Sequence, residues 1–160
     1  MKLLSVSLLI ALTICQSLYG QRYMEELGRG VIAIHQTDKV FISWRILATD
    51  PPDVAFNVYR SSGGRTVKVN GKPLTGPTHF TDSLADLSKT NEWFVSPVIG
   101  SKEAPGSRPF ALAGGAAASP YLKVPLKTPE GYTPNDASAG DLDGDGEYEL
   151  VIHMSRKGRD

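Results

Sequence analysis

The sequence predicts an all-β fold, in which a sandwich of two β-sheets is followed by a separate strand-forming segment with an acidic loop. About seven short strand-like runs lie between residues 31 and 113, separated by turn signals. The chain has 16 glycines and 11 prolines in 160 residues, which supply those turns. Residues 141–149 then carry five carboxylates, which indicates a cation-binding loop.

The charge balance excludes two classes of partner. The chain has 17 basic and 17 acidic residues and 41% hydrophobic residues, which fits a globular domain with additional segments. There is no basic excess that would attract nucleic acid or an anionic membrane.

Residues 1–20 predict a signal peptide, and therefore a secreted or periplasmic protein that starts at Gln21. Lys2 precedes an apolar run, residues 3–15, that is too short to span a bilayer. Gly20 is a small residue suited to the position before cleavage.

Cys15 is the only cysteine, so cleavage would leave a mature chain without a disulfide. Lipoprotein anchoring is the alternative for this segment. It would require a small residue before Cys15, and Ile14 stands there instead, which disfavours it.

The first two strands predict a hairpin. Residues 31–35 are apolar and β-branched, residues 36–39 form a polar turn, and residues 40–45 alternate. Val40, Ile42 and Trp44 therefore share one face.

The next strands follow a proline-containing break at residues 50–53. Residues 55–60 predict a strand, and residues 65–69 predict a second strand that runs back alongside the first. Asn70 and Gly71 form a dipeptide typical of a tight turn.

Further strands are predicted at residues 78–82, 91–99 and 109–113. Pro97 limits its strand to a sheet edge or a bulge. These spacings predict an immunoglobulin- or fibronectin III-like β-sandwich for residues 21–113.

Trp44 and Trp93 are interpreted as core residues where two sheets meet, with a sugar-stacking platform as the functional alternative. His35, His79 and His153 show no metal-ligand spacing and are interpreted as ordinary surface or half-buried residues. No nucleophilic or general-base constellation is found within the sandwich.

A linker of small residues, 114–120, separates the sandwich from residues 121–160. Alternation resumes over residues 121–126, and residues 128–134 are interpreted as a loop. Residues 121–160 are too few to close a propeller, so we expect them to be an incomplete first blade of a longer protein.

The acidic loop predicts a calcium site. Five carboxylates would repel one another, and calcium takes six to eight oxygen ligands from flexible loops. Asp141, Asp143 and Asp145 would supply side-chain oxygens, Glu147 its backbone carbonyl, and Glu149 the carboxylate that completes the shell.

The residues after the loop distinguish between classes of calcium loop. Within the loop, Gly144 and Gly146 allow the backbone to curl tightly. EF-hand and dockerin loops require an acid at the twelfth position, which here is Ile152. Residues 149–154 instead predict a buried strand, as in the blades of calcium-binding β-propellers. The alternative is a solvated acidic turn that binds nothing.

Several segments together resemble a known family, the bacterial rhamnogalacturonan lyases of polysaccharide lyase family 11. The resemblance extends over residues 22–160, and its most specific part is the segment from Asn135 to Glu149. The other segments that carry it are Gly28–Ile34, Val40–Asp50 and Phe56–Arg60.

The resemblance implies a small β domain ahead of a calcium-binding β-propeller. It also implies cleavage of the rhamnogalacturonan I backbone of pectin by β-elimination, in which a base removes the C5 proton of a galacturonate and the 4-O-linked group leaves. The catalytic groups would lie outside residues 1–160, so we assign no catalytic residue here and expect this part to be inactive and monomeric. The calcium ion would have a structural role.

Two other hypotheses remain open. The chain could be a non-catalytic carbohydrate-binding or adhesion module with an integrin-like calcium loop. The sandwich could also be a spacer that stabilises its neighbour.

Overall fold

The computed structural model describes residues 27–156, so the predicted signal peptide lies outside the described residues. Within that range the chain is all-β, with eleven strands and no helix, and hence no helix that could cross a membrane. The strands are β1 Ile32–Gln36, β2 Lys39–Ser43, β3 Ala55–Ser62, β4 Arg65–Lys68, β5 Leu74–Thr75, β6 His79–Asp82, β7 Asn91–Ile99, β8 Lys102–Glu103, β9 Phe110–Leu112, β10 Tyr132–Gly140 and β11 Glu149–Arg156.

The first nine strands form two antiparallel sheets that pack into a sandwich. The smaller sheet has the order β1–β2–β6. The larger has the order β4–β3–β7–β8, with β5 also paired to β3 and β9 to β7. The predicted two-sheet sandwich is confirmed, as is the β1–β2 hairpin, in which His35 pairs with Val40.

The core lies between the two sheets. Val40 and Ile42 of β2 are fully buried, as the alternation predicts, and Trp93 of β7 is 0% exposed. Trp44 is 5% exposed and its ring centroid lies 5.4 Å from that of Phe56. Both tryptophans are therefore core residues, and the alternative of a sugar-stacking platform is wrong for them.

A buried carboxylate joins the sheets. Asp82, at the end of β6, accepts hydrogen bonds from Nη1 of Arg60 on β3 at 2.5 Å and from Nε1 of Trp93 on β7 at 3.1 Å. It also accepts the backbone N–H of Leu84 at 3.0 Å. Because its side chain is 2% exposed, these donors take the place of water.

The segment that leads into β1 is held by a second ion pair. Nη1 and Nη2 of Arg29 both donate to the Asp50 carboxylate, whose side chain is 5% exposed. Arg29 lowers the pKa of Asp50, and the backbone N–H of Leu47 lowers it further. The neighbouring Gly30 has φ of 53°, and a Cβ there would lie 2.2 Å from Nη2 of Arg45.

The Asn70–Gly71 dipeptide does not form the predicted tight turn. Asn70 is 3% exposed; its side chain accepts the N–H of Val58 at 2.7 Å and donates to the carbonyl of Phe56 at 3.0 Å. The flanking strands β4 and β5 both pair with β3 and not with each other. The Asn70 side chain therefore hydrogen-bonds to the backbone of β3, and no hairpin turn forms between β4 and β5.

Pro97 was expected at an edge or a bulge, yet it lies within β7, which has partners on both sides. On one side it pairs with Phe56 of β3. On the other, β9 pairs with residues 91–93 and β8 with residues 98–99, so Pro97 falls between them. The missing proline N–H is tolerated because the outer ladder is interrupted there.

The segment after the sandwich differs more from expectation. Residues 121–126 alternate in sequence but form no strand. The predicted loop at residues 128–134 ends earlier than expected, because β10 begins at Tyr132 and pairs with β11 in a two-stranded sheet. Leu150 and Val151 of β11 are each 51% exposed, because a two-stranded sheet covers neither face and no further sheet packs on them within the described residues.

Candidate metal centre

The acidic loop connects β10 to β11, and its two glycines allow it to curl. Gly144 has φ of 77° and Gly146 has φ of 89°, in the region that favours glycine. This confirms the conformational role that the sequence predicts for them.

The first carboxylate of the loop organises its backbone. Asp141 Oδ1 accepts the N–H of Gly144 at 2.8 Å and of Asp145 at 3.1 Å, and Oδ2 accepts the N–H of Gly146 at 3.0 Å. The loop N–H groups thus point inward at a carboxylate, which fixes one side of the candidate centre.

Three of the five predicted ligands come together. The carboxylate oxygens of Asp141, Asp143 and Glu149 lie within 4.8 Å of one another, and they are the single group of this kind in the described part of the chain. Glu149 Oε2 also accepts the N–H of Leu142 at 2.8 Å, which brings the start of β11 back to the loop. Three anionic oxygen donors fit Ca²⁺, a hard cation with flexible geometry.

The side-chain carboxylates of Asp145 and Glu147 lie outside this cluster, although Glu147 was predicted to bind through its backbone carbonyl. Asp145 pairs with Arg108, whose Nη1 is 2.8 Å from Oδ2, while Oδ1 accepts the N–H of Glu147 at 2.9 Å. Arg108 lowers the pKa of Asp145, and the Glu147 N–H contributes to that shift. The Glu147 side chain lies against Gly28, where a Cβ would be 2.5 Å from its Oε1.

The sandwich holds the loop through two further contacts. The N–H of Gly28 donates to the carbonyl of Gly146 at 2.5 Å. Arg45, just after β2, places its guanidinium carbon 4.5 Å from the ring centroid of Tyr148. Arg108, Gly28 and Arg45 were missed as contributors to this site, because no local pattern links them to residues more than thirty positions further along.

The histidines do not join the cluster. His35 Nδ1 lies 2.6 Å from the carbonyl of Ala116, and its Nε2 lies 3.1 Å from that of Thr37. His79 stacks on Phe41 with ring centroids 5.7 Å apart. Both side chains therefore contact residues outside the acidic loop.

A groove of about 550 Å³ lies between β1, β9 and residues 116–123. Its lining is mainly alanine, leucine and phenylalanine, and its titratable residues are His35, Tyr121 and Lys123. It lacks the convergent polar groups of a catalytic centre.

The sandwich matches a family model described as the β-sheet domain of rhamnogalacturonan I lyases, over residues 22–112. The rhamnogalacturonan endolyase YesW of Bacillus subtilis is 37% identical over 141 residues, which are 82% of this chain and 21% of that protein. The exolyase YesX of the same organism is 34% identical over 142 residues, 82% of this chain and 22% of YesX.

Solved structures agree with these relatives. The crystal structure of the exotype lyase YesX aligns with a TM-score of 0.71 and 34% identity, over 87% of this chain and 23% of that one. The family 11 rhamnogalacturonan lyase of Bacillus licheniformis aligns with a TM-score of 0.72 and 36% identity, over 87% and 24%. The chain therefore belongs to the rhamnogalacturonan lyases of polysaccharide lyase family 11. It spans about a fifth of the length of the curated relatives it matches.

Proposed function

We propose that this chain is the N-terminal part of a secreted rhamnogalacturonan lyase that cleaves the rhamnogalacturonan I backbone of pectin by β-elimination. The observation that carries the proposal is the similarity to YesW, 37% identity across 82% of the chain. The alignment to YesX covers 87% of the chain, more than the sandwich alone would give.

The activity is proposed for a longer polypeptide than residues 1–160. Elimination requires a base near C5 of the galacturonate and cationic groups that neutralise its carboxylate. Within residues 27–156 the candidate cluster contains carboxylates alone, and the groove beside β1 is mainly apolar. The sandwich and the loop would therefore support a catalytic region that lies beyond them.

The acidic loop is proposed as a structural Ca²⁺ site at the start of a β-propeller blade. Asp141, Asp143 and Glu149 would hold the ion, and Asp145 and the Glu147 carbonyl would complete the shell after small movements. The bound ion would neutralise the clustered carboxylates. Since Asp141 already orders three loop N–H groups, little of the backbone needs to rearrange.

The lyase activity can be tested by comparing residues 1–160 with the chain extended to the length of its relatives. Each would be incubated with rhamnogalacturonan I, and unsaturated products would be followed by ultraviolet absorbance. We expect products from the extended chain alone. Product release by residues 1–160 would contradict the proposal, as would inactivity of a folded extended chain.

The calcium site can be tested separately by calorimetric titration. Glu149→Gln removes one of the three clustered charges and should weaken Ca²⁺ binding about tenfold or more. Glu92→Gln, at an exposed position on β7, is the matched control and should bind as the unmodified chain does. Equal affinities for the Glu149→Gln variant and the unmodified chain would show that the cluster does not hold the ion.

A further inference from the structure

Arg108 is a residue of the sandwich that reaches the acidic loop. It lies two positions before β9, and its Nη1 donates to Asp145 Oδ2 at 2.8 Å. The two side chains are 61% and 41% exposed, so the pair sits at the surface and can exchange partners. The hydrogen bond to Asp145 raises the pKa of Arg108, and coulombic attraction from Asp145, Glu147 and Asp143 adds to it.

The pair with Arg108 occupies Asp145, a predicted side-chain ligand that lies outside the cluster. Asp145 uses Oδ2 for Arg108 and Oδ1 for the N–H of Glu147. Its neighbours in the predicted ligand set, Asp141 and Asp143, converge with Glu149. To reach a cation held by those three, the Asp145 carboxylate would have to turn away from Arg108.

We propose that Arg108 is a built-in counter-ion that competes with Ca²⁺ for Asp145, so that ion binding and this contact between sandwich and loop oppose each other. The inference rests on the proposed calcium site. A guanidinium and a divalent cation at the same group of carboxylates also repel each other. By linkage, the ion weakens the Arg108–Asp145 pair as much as the pair weakens ion binding.

The loop would stay attached to the sandwich when this pair opens. The Gly28–Gly146 hydrogen bond and the contact of Arg45 with Tyr148 do not involve the ligand carboxylates. Ca²⁺ binding would therefore open the Arg108–Asp145 contact between the sandwich and the loop and leave the other two contacts in place. The loop would stay docked on the sandwich whether or not the ion is bound.

The test is calorimetric titration of Ca²⁺ into the whole chain and two arginine variants at low ionic strength. Arg108→Gln should bind Ca²⁺ about two- to fivefold more tightly, the range expected for release of an exposed ion pair. The difference should shrink as salt is added. Arg65→Gln, at an exposed position at the start of β4, should leave the affinity unchanged.

A third variant tests whether Arg108 affects ion binding through Asp145. Asp145→Asn should weaken binding, and in its presence Arg108→Gln should have a smaller effect than in the unmodified chain, because only the direct repulsion between the guanidinium and the ion is left to remove. Unchanged or weaker binding by Arg108→Gln, with Ca²⁺ bound by the unmodified chain, would overturn the competition and leave the calcium site intact. Absence of binding by the unmodified chain at millimolar Ca²⁺ would overturn both.

Discussion

Asp82 should be among the most sensitive positions in the sandwich. Its carboxylate is 2% exposed and accepts hydrogen bonds from Arg60, Trp93 and the Leu84 N–H. Asp82→Ala would leave the Arg60 side chain, itself 15% exposed, without its buried partner.

The magnitude follows from these contacts. Loss of one member of a buried ion pair costs about 3–5 kcal/mol, because the remaining charge stays desolvated. An unsatisfied buried donor costs about 1–3 kcal/mol, which applies here to Trp93 Nε1 and overlaps with the first term. We therefore expect Asp82→Ala to reduce the free energy of unfolding by about 3–5 kcal/mol, a large part of a typical domain stability of about 5–15 kcal/mol.

Urea denaturation followed by tryptophan fluorescence measures this change, since Trp44 and Trp93 both lie in the sandwich core. Asp53→Ala, at an exposed position, is the control and should change the unfolding free energy by less than about 0.5 kcal/mol. Replacing Arg60 with methionine in the Asp82→Ala background should recover part of the loss, because no unpaired charge remains. A loss below about 1 kcal/mol for Asp82→Ala, or no recovery in the double variant, would refute the reasoning.

Three further outcomes are expected. Asn70→Ala should lower the free energy of unfolding by about 2–4 kcal/mol, since it leaves two buried backbone groups of β3 unsatisfied, and urea denaturation measures it. The arginine partner of Asp50 lowers its pKa below 3.8, so the stability it contributes is fully present above that pH and is lost as the pH falls through the lowered value. Asp50→Asn should therefore lose less thermal stability on acidification than the unmodified chain. Gly30→Ala should be more destabilising than Gly64→Ala by about 0.5–1 kcal/mol in thermal unfolding, because both glycines have positive φ but the Cβ at Gly30 would also displace the Arg45 guanidinium from the Tyr148 ring.

A different result would contradict each of these three predictions. Wild-type stability in Asn70→Ala would mean that water replaces the side chain. Parallel pH profiles for Asp50→Asn and the unmodified chain would mean that the ion pair does not persist in solution. Equal losses at Gly30 and Gly64 would mean that Arg45 moves away at no cost.

The arrangement of the carboxylates in the acidic loop could be predicted in part. The alternating acids at residues 141–145 and the two glycines indicate a curled loop, because its geometry is local. Sequence spacing could not show that Asp145 turns towards Arg108, 37 positions away. That choice depends on how the sandwich docks against the loop.

The sequence by itself determined seven of the nine sandwich strands, the core tryptophans and the family, because alternation and turn residues act over a few positions and β7 follows its apolar pattern from residue 91 to 99. The two-residue strands β5 and β8 are too short to show such a pattern. Only the tertiary structure decided that Asn70 completes β3, that Pro97 fills a gap between β8 and β9, and that Arg108 holds one acid of the loop. The physical reason is distance along the chain: a hydrogen bond or ion pair between remote residues forms only after packing has brought them together, and no local pattern records it.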